Sequence, residues 1–259
     1  MKREFKGQIL EELPADYVIL DIKTTGADPY YDRMISIEAI CYLNGEEIER
    51  FFEILTEKET EKIIAFRHLQ QFIGKKPLIG YAINLIINFL YDAFITYLEV
   101  PLTNDYLDLK EVLRKNDCLN INYSLDAACK GLKLSKKEEA GLTEADQIVQ
   151  VYEYIRQEVL HNGNIDYCMP FENRRCVFTG KLQRSGPKEA SRLLLENGGI
   201  KGDRVTMKTN YLILGNHDYC SKIEAGKSNK QRKAEELKQK GYDIEIISEN
   251  VFYDLIDVY

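Results

Sequence analysis

The stretch Asp21-Ile22-Lys23-Thr24-Thr25-Gly26 follows the apolar run Tyr17-Val18-Ile19-Leu20. A carboxylate near the end of a strand, a second carboxylate two residues on and then a turn would set two acidic groups about 6–7 Å apart on one face. Such pairs hold divalent ions for phosphoryl transfer, where one ion activates water and another stabilises the leaving oxygen. This chain has that frame but only its first carboxylate, because position 23 is lysine. A second chemically capable group is basic: Lys222, Lys227, Lys230, Arg232, Lys233, Lys238 and Lys240 crowd one helical segment. These residues suit contact with DNA or with an acidic protein, and on DNA they would position a backbone rather than read bases.

Other residue types exclude chemistry more than they suggest it. The six cysteines, Cys41, Cys118, Cys129, Cys168, Cys176 and Cys220, form no Cys-x-x-Cys pair and read as small buried side chains. His68, His161 and His217 lack zinc-binding spacing. Hard-metal chemistry would therefore fall to carboxylates.

Positioning Asp21 and Lys23 requires a strand over 17–22 and a loop over 24–32. Apolar stretches at 34–43 and 47–56, joined by a turn at Asn44-Gly45, predict an antiparallel meander. Helical spacing follows at 62–74, then a strand within 76–83 and helices at 85–98, 107–115, 123–132 and 144–160. Strands first and helices packed later give an α/β domain over 1–165. The Gly-, Asn- and Pro-containing stretch 161–173 breaks this periodicity and predicts a linker centred on 166–171. Beyond it, strands at 174–180, 204–209, 211–215 and 243–248 and helices at 187–199, 228–241 and 251–256 describe a small α/β sandwich over 172–259. The net charge of −7 divides unevenly, −10 over residues 1–170 and +3 from 171 onward. Long-range attraction to DNA would come mainly from the second part. No stretch reaches the length of a membrane span, and the N-terminus lacks the apolar segment of a secretory signal, so the expected location is cytoplasmic, without a membrane partner.

Residues 17–165 resemble the DnaQ-like 3'–5' exonucleases of the DEDDh type, which have an RNase H-like mixed-sheet fold. The family's first strand ends in D-x-E-T-T-G, matched by Asp21 to Gly26 with Lys23 at the second acid. Its second motif, H-N-x-x-F-D-x-x-F-L, corresponds to residues 81–90; Phe89 and Leu90 are kept, and Ile86 stands at the aspartate. Its third, H-x-A-L-x-D-A, corresponds to 139–145, placing Glu139 at the general-base histidine and Glu144 at the last metal-ligand aspartate. The resemblance thus implies the fold while the chemistry is depleted. Asp21, Lys23, Ile86 and Glu144 sum to −1 where the family's acidic positions supply −4. A contact between two unit cations at about 4 Å costs roughly 4 kcal/mol even at an effective dielectric of 20, and more between divalent ions, so the expected cofactor set is none. Magnesium or manganese would be required only if an active exonuclease survives with Asp21 and Glu144 as ligands. The Lys23 ammonium either takes the place of a metal, pairing with Asp21 and Glu144, or swings out to solvent. Tyr30, Tyr31 and Tyr81 near this place could stack on bases or serve only as structure.

Residues 172–256 resemble a bacterial-type BRCT domain, through the strand end Thr179-Gly180, the helix stop Gly198-Gly199 and the helix face at Lys233-Ala234. The family's members recognise proteins, phosphorylated peptides or DNA ends. The resemblance implies an anion cradle from Thr179, the Gly180 N–H and Lys230, with Arg232 and Lys233 beside it. The combined expectation is a non-catalytic, DNA-associated binding or scaffolding protein with a protein partner. Its alternatives are an active metal-dependent exonuclease or a protein- or phosphopeptide-binding module without DNA.

Overall fold

Strand β1, Tyr17–Thr24, is apolar on both faces and packs into two cores. Val18, Leu20 and Ile22 face one core, Tyr17 and Ile19 the other, which is why its first residues read as an unbroken apolar run. β2 (Met34–Leu43) and β3 (Glu46–Ile54) continue antiparallel beside it. Asn44 and Gly45 join them with φ of 53° and 81°, the left-handed pair that a tight hairpin needs.

The computed structural model describes residues 3–116, 123–134, 142–159, 165, 169, 171–220 and 227–256. After the hairpin come α1 (Glu59–Ile73), β4 (Leu78–Gly80), α2 (Ile83–Leu98), β5 (Tyr106–Asp108) and α3 (Leu109–Lys115). Two further helices follow, α4 (Leu125–Gly131) and α5 (Glu144–Tyr154), and a π turn at Ile155–Val159. The five-stranded sheet runs β3-β2-β1-β4-β5, with β4 and β5 parallel to β1. Helices α1 and α2 cover one face and α3 to α5 the other. The sheet is mixed, as the motifs imply. Three-residue β5, absent from the sequence expectation, runs straight into α3 and is too short to show a period of two.

The C-terminal part is a four-stranded, all-parallel sheet in the order β7-β6-β8-β9. Its elements are β6 (Arg175–Thr179), α6 (Pro187–Glu196), β7 (Ile200–Gly202), β8 (Tyr211–Leu214), α7 (Asn216–Cys220), α8 (Asn229–Gln239), β9 (Glu245–Ser248) and α9 (Glu249–Ile256). Helices α6 and α9 pack on one face and α8 on the other. The strand expected at 204–209 lies earlier, at β7. Thr206 and Thr209 fold residues 206–209 into a turn: the Thr209 N–H donates to the Thr206 carbonyl at 3.0 Å, and the Thr206 N–H to the Thr209 hydroxyl at 2.9 Å. Phe171, at the end of the stretch read as linker, is fully buried in the α6/α9 core. Cys41, Cys129 and Cys176 are buried and unbridged. Among the described residues no helix is long and apolar enough to cross a membrane.

Candidate functional site

Asp21 and Lys23 stand two apart on the β1 face that α5 covers. Thr143 caps α5: its hydroxyl accepts from the Asp146 N–H at 3.2 Å, while the Asp146 carboxylate accepts from the Thr143 N–H at 2.9 Å. This reciprocal cap fixes where the helix starts, and the first helical residue, Glu144, meets Lys23. The Lys23 ammonium forms an ion pair with Glu144 and lies 3.4 Å from an Asp21 oxygen. Ile86, on the first turn of α2, is half-buried against the α1/α2 core and offers no oxygen. Glu139 lies outside the described residues. Among the described residues no group of three or more His, Cys, Asp or Glu is placed to hold a metal ion. The donor set does not fit a pair of divalent cations, because the two carboxylates present already share an ammonium.

Asp21 and Ile86 border a cleft of about 630 Å³ between the two sheet systems, while Lys23 and Glu144 stand outside its lining. Asp21, Thr24, Thr25 and Ile86 line one wall; Tyr219, Lys227, Gln231 and Lys238 line the other. The loop after β1 is held by the C-terminal part. The Ala27 N–H donates to the Tyr219 hydroxyl at 2.9 Å, and that hydroxyl donates to Asp32. Asp28 is fully buried and accepts from the Ser248 hydroxyl, from the Asn250 amide at 3.4 Å and from the Tyr30 N–H at 2.8 Å. Burial raises its carboxyl above the usual range. The Tyr81 hydroxyl donates to the Tyr123 carbonyl at 2.8 Å, and burial moves its ionisation well above the ordinary phenol value. Tyr31 has its ring 6.2 Å from that of Tyr219, and Tyr30 lies under the Arg3 guanidinium. All three tyrosines thus have protein partners.

Two features escaped the sequence reading. Asp108 caps two helices at once, accepting from the N–H groups of Ala82, Asn84 and Lys110, each at 3.0 Å. Burial, reinforced by Glu111, pushes its carboxyl up to about 6 against the pull of the Asn84 N–H and of the Lys110 and Arg114 charges. An aspartate directly before a helical pattern was the available signal for the cap on α3. The second feature is an ion network across the junction. Asp243 pairs with Lys110 at 2.7 Å and with Arg114, while Glu111 holds Arg114 at 2.6 Å and Arg174 at 3.0 Å. All five residues are buried. Nothing in local spacing links residue 110 to 243.

At the expected anion cradle, Gly180 takes φ of 78° and a Cβ there would collide with the Asp218 carboxylate. The Lys181 N–H donates to that same carboxylate at 3.3 Å. The Lys230 ammonium donates to the Phe178 carbonyl at 3.1 Å, and the Thr179 carbonyl accepts from the Gly215 N–H at 3.1 Å. A carboxylate of the chain itself therefore lies against Gly180 and takes the Lys181 N–H. Of the basic run, Lys227, Lys233 and Lys238 pair with Glu235, Glu236 and Glu245 at 2.7–3.0 Å, and Arg232 bonds the neutral Asn229 at 2.8 Å.

No protein-family model matches the chain. It is similar to a DNA ligase of Phytoplasma mali, 34% identical over 86 residues, which is 33% of this chain and 11% of the ligase. It is also similar to the PolC-type DNA polymerase III of Lacticaseibacillus paracasei, 23% identical over 141 residues, 47% of this chain and 10% of the polymerase. The match thus spans about a tenth of either relative's length. Among solved structures, E. coli exonuclease I in complex with an oligonucleotide is similar over 56% of this chain and 41% of that one, with a TM-score of 0.45 and 13% identity. An ExoI/SSB-Ct complex gives a TM-score of 0.47 at 12% identity, covering 57% of this chain and 42% of that one.

Chemically, the site holds a lysine between two carboxylates.

Proposed function

We propose that the chain is a non-catalytic binding or scaffolding protein associated with DNA, built from a degenerate DnaQ-like exonuclease domain and a BRCT domain. The observation that carries this reading is the Lys23 ammonium shared by Asp21 and Glu144, a protein cation in the space that the family gives to metal. The likeness of parts of the chain to a DNA ligase and a DNA polymerase supports work near DNA. The all-parallel C-terminal sheet with helices on both faces supports the BRCT assignment.

Manganese titrated calorimetrically into the full chain tests the reading, paired with incubation on end-labelled single-stranded DNA. The expected result is no saturable heat at millimolar metal and no shortening of the strand. Two ions bound, with shortening that disappears in Asp21→Ala, would establish the exonuclease instead.

A second reading is favoured by the ion pairs on α8 and by Asp218 at the cradle: interaction with a protein and not with DNA or phosphate. Its mark is partner binding that persists at about 0.5 M salt, where contacts to a nucleic-acid backbone are largely lost. Neutralising Lys230 and Arg232 together weakens DNA retention under the first reading and leaves protein binding unchanged under the second.

A further inference from the structure

Among the described residues β3 is the outer strand of the five-stranded sheet, hydrogen-bonded to β2 along one side only. Ile48, Phe52 and Ile54 stand exposed along it, at 55%, 62% and 62%. Large apolar side chains on an edge strand invite a further strand unless charge prevents it. Phe52 lies opposite Glu38 and Ile54 opposite Ser36, and those two residues pair in turn with Asp21 and Lys23 of β1. Phe52 and Ile54 therefore share a sheet face with the Asp21–Lys23 pair. Glu49 and Glu53 lie opposite Cys41 and Ile37 and so point to the other face. Glu46 and Glu47 add to the acidic charge, and Arg50 does not offset it outward because Glu47 and Asp146 hold its guanidinium at 2.7 Å.

We propose that the β3 edge takes up an extended segment of a partner protein in which basic residues alternate with apolar ones, adding a sixth strand to the sheet. Main-chain hydrogen bonds supply the pairing. The strand's period of two then sends apolar side chains to the Phe52/Ile54 face and basic ones to the Glu49/Glu53 face. Charge selects this occupant over the alternatives. A second copy of β3 would bring glutamates beside glutamates, and a phosphate backbone would meet the same acidic row. The glutamates close the edge to self-association while leaving it complementary to a basic strand.

The test is fluorescence anisotropy with the full chain and a labelled peptide of alternating lysine and valine. Three comparisons accompany it: the same peptide with glutamate for lysine, the lysine peptide N-methylated on alternate residues to remove one edge of donors, and the chain variants Phe52→Ser and Glu53→Lys. The lysine peptide binds saturably; N-methylation and each variant weaken it by about tenfold or more, and the glutamate peptide does not bind. Equal binding of the N-methylated peptide would reduce the interaction to charge adhesion and overturn the proposal. So would no binding of the lysine peptide, or a self-association of the chain that Phe52→Ser dissolves. N-methylation changes the peptide alone, so the test stands even where a chain variant folds poorly.

Discussion

Lys23 occupies its place for reasons other than stability. Its side chain is 44% exposed and that of Glu144 32% exposed, so their ion pair is largely screened and contributes about 1 kcal/mol or less. Lys23→Ala is therefore expected to shift the urea midpoint only slightly, even though it leaves Asp21 and Glu144 facing each other. The consequence of the lysine is electrostatic exclusion. Replacing Lys23 by Glu and Ile86 by Asp returns two carboxylates to the cleft and removes the resident cation. The double variant should give saturable manganese binding in the calorimeter where the native chain gives none. No binding in the double variant would mean that Lys23 and Ile86 alone do not account for the loss of metal. The exchange at position 23 was legible because its neighbours Asp21 and Thr24-Thr25-Gly26 keep the frame. Asp218 was not, since it reaches Gly180 from a helix 38 positions further along the chain.

Among the elements, the starts of α2 and α3 depend on one side chain. Asp108 accepts three backbone N–H groups that would otherwise be buried without partners. Asp108→Ala should cost about 2–3 kcal/mol in chemical denaturation. The pH dependence has a definite sign. Because the folded-state value, about 6, lies above the ordinary carboxyl value, the native state takes up a proton first. Its contribution therefore makes stability rise as pH falls from about 6 toward about 4. Asp108→Asn should remove that rise, measured as unfolding free energy across the same window. Long apolar or periodic stretches such as Tyr17–Leu20 and 85–98 revealed their elements because burial on one or both faces imposes a period. Residues 204–209 misled because β-favouring Val205 and Thr206 sit where threonine hydroxyls bond the backbone and compete with a ladder.

For the whole molecule, the question is what holds the two sheet systems in one arrangement over the cleft. Exposed ion pairs would hold it weakly and yield to salt, whereas Lys110, Glu111, Arg114, Arg174 and Asp243 are buried and hydrogen-bonded to one another. Such a network adds little net stability over an apolar junction, but breaking it is expensive, because each cation left behind is buried without its partner. The pairing with both cations was invisible in the sequence because Arg114 and Asp243 lie 129 positions apart and no local spacing links them. Asp243→Ala is accordingly expected to destabilise the chain by about 3–5 kcal/mol and to split a single unfolding transition into two, as the parts lose their coupling. The native junction should tolerate added salt. It should not tolerate acid. Burial disfavours the Asp243 carboxylate, but Lys110 and Arg114 outweigh burial and hold its carboxyl well below the usual range. A depressed folded-state value means that this stabilisation is complete at neutral pH and is lost as pH falls below about 4. Calorimetric scans should therefore show one transition near neutrality and two in acid. Two transitions at neutral pH would mean that the parts are not locked together and that the cleft beside Lys23 stands open.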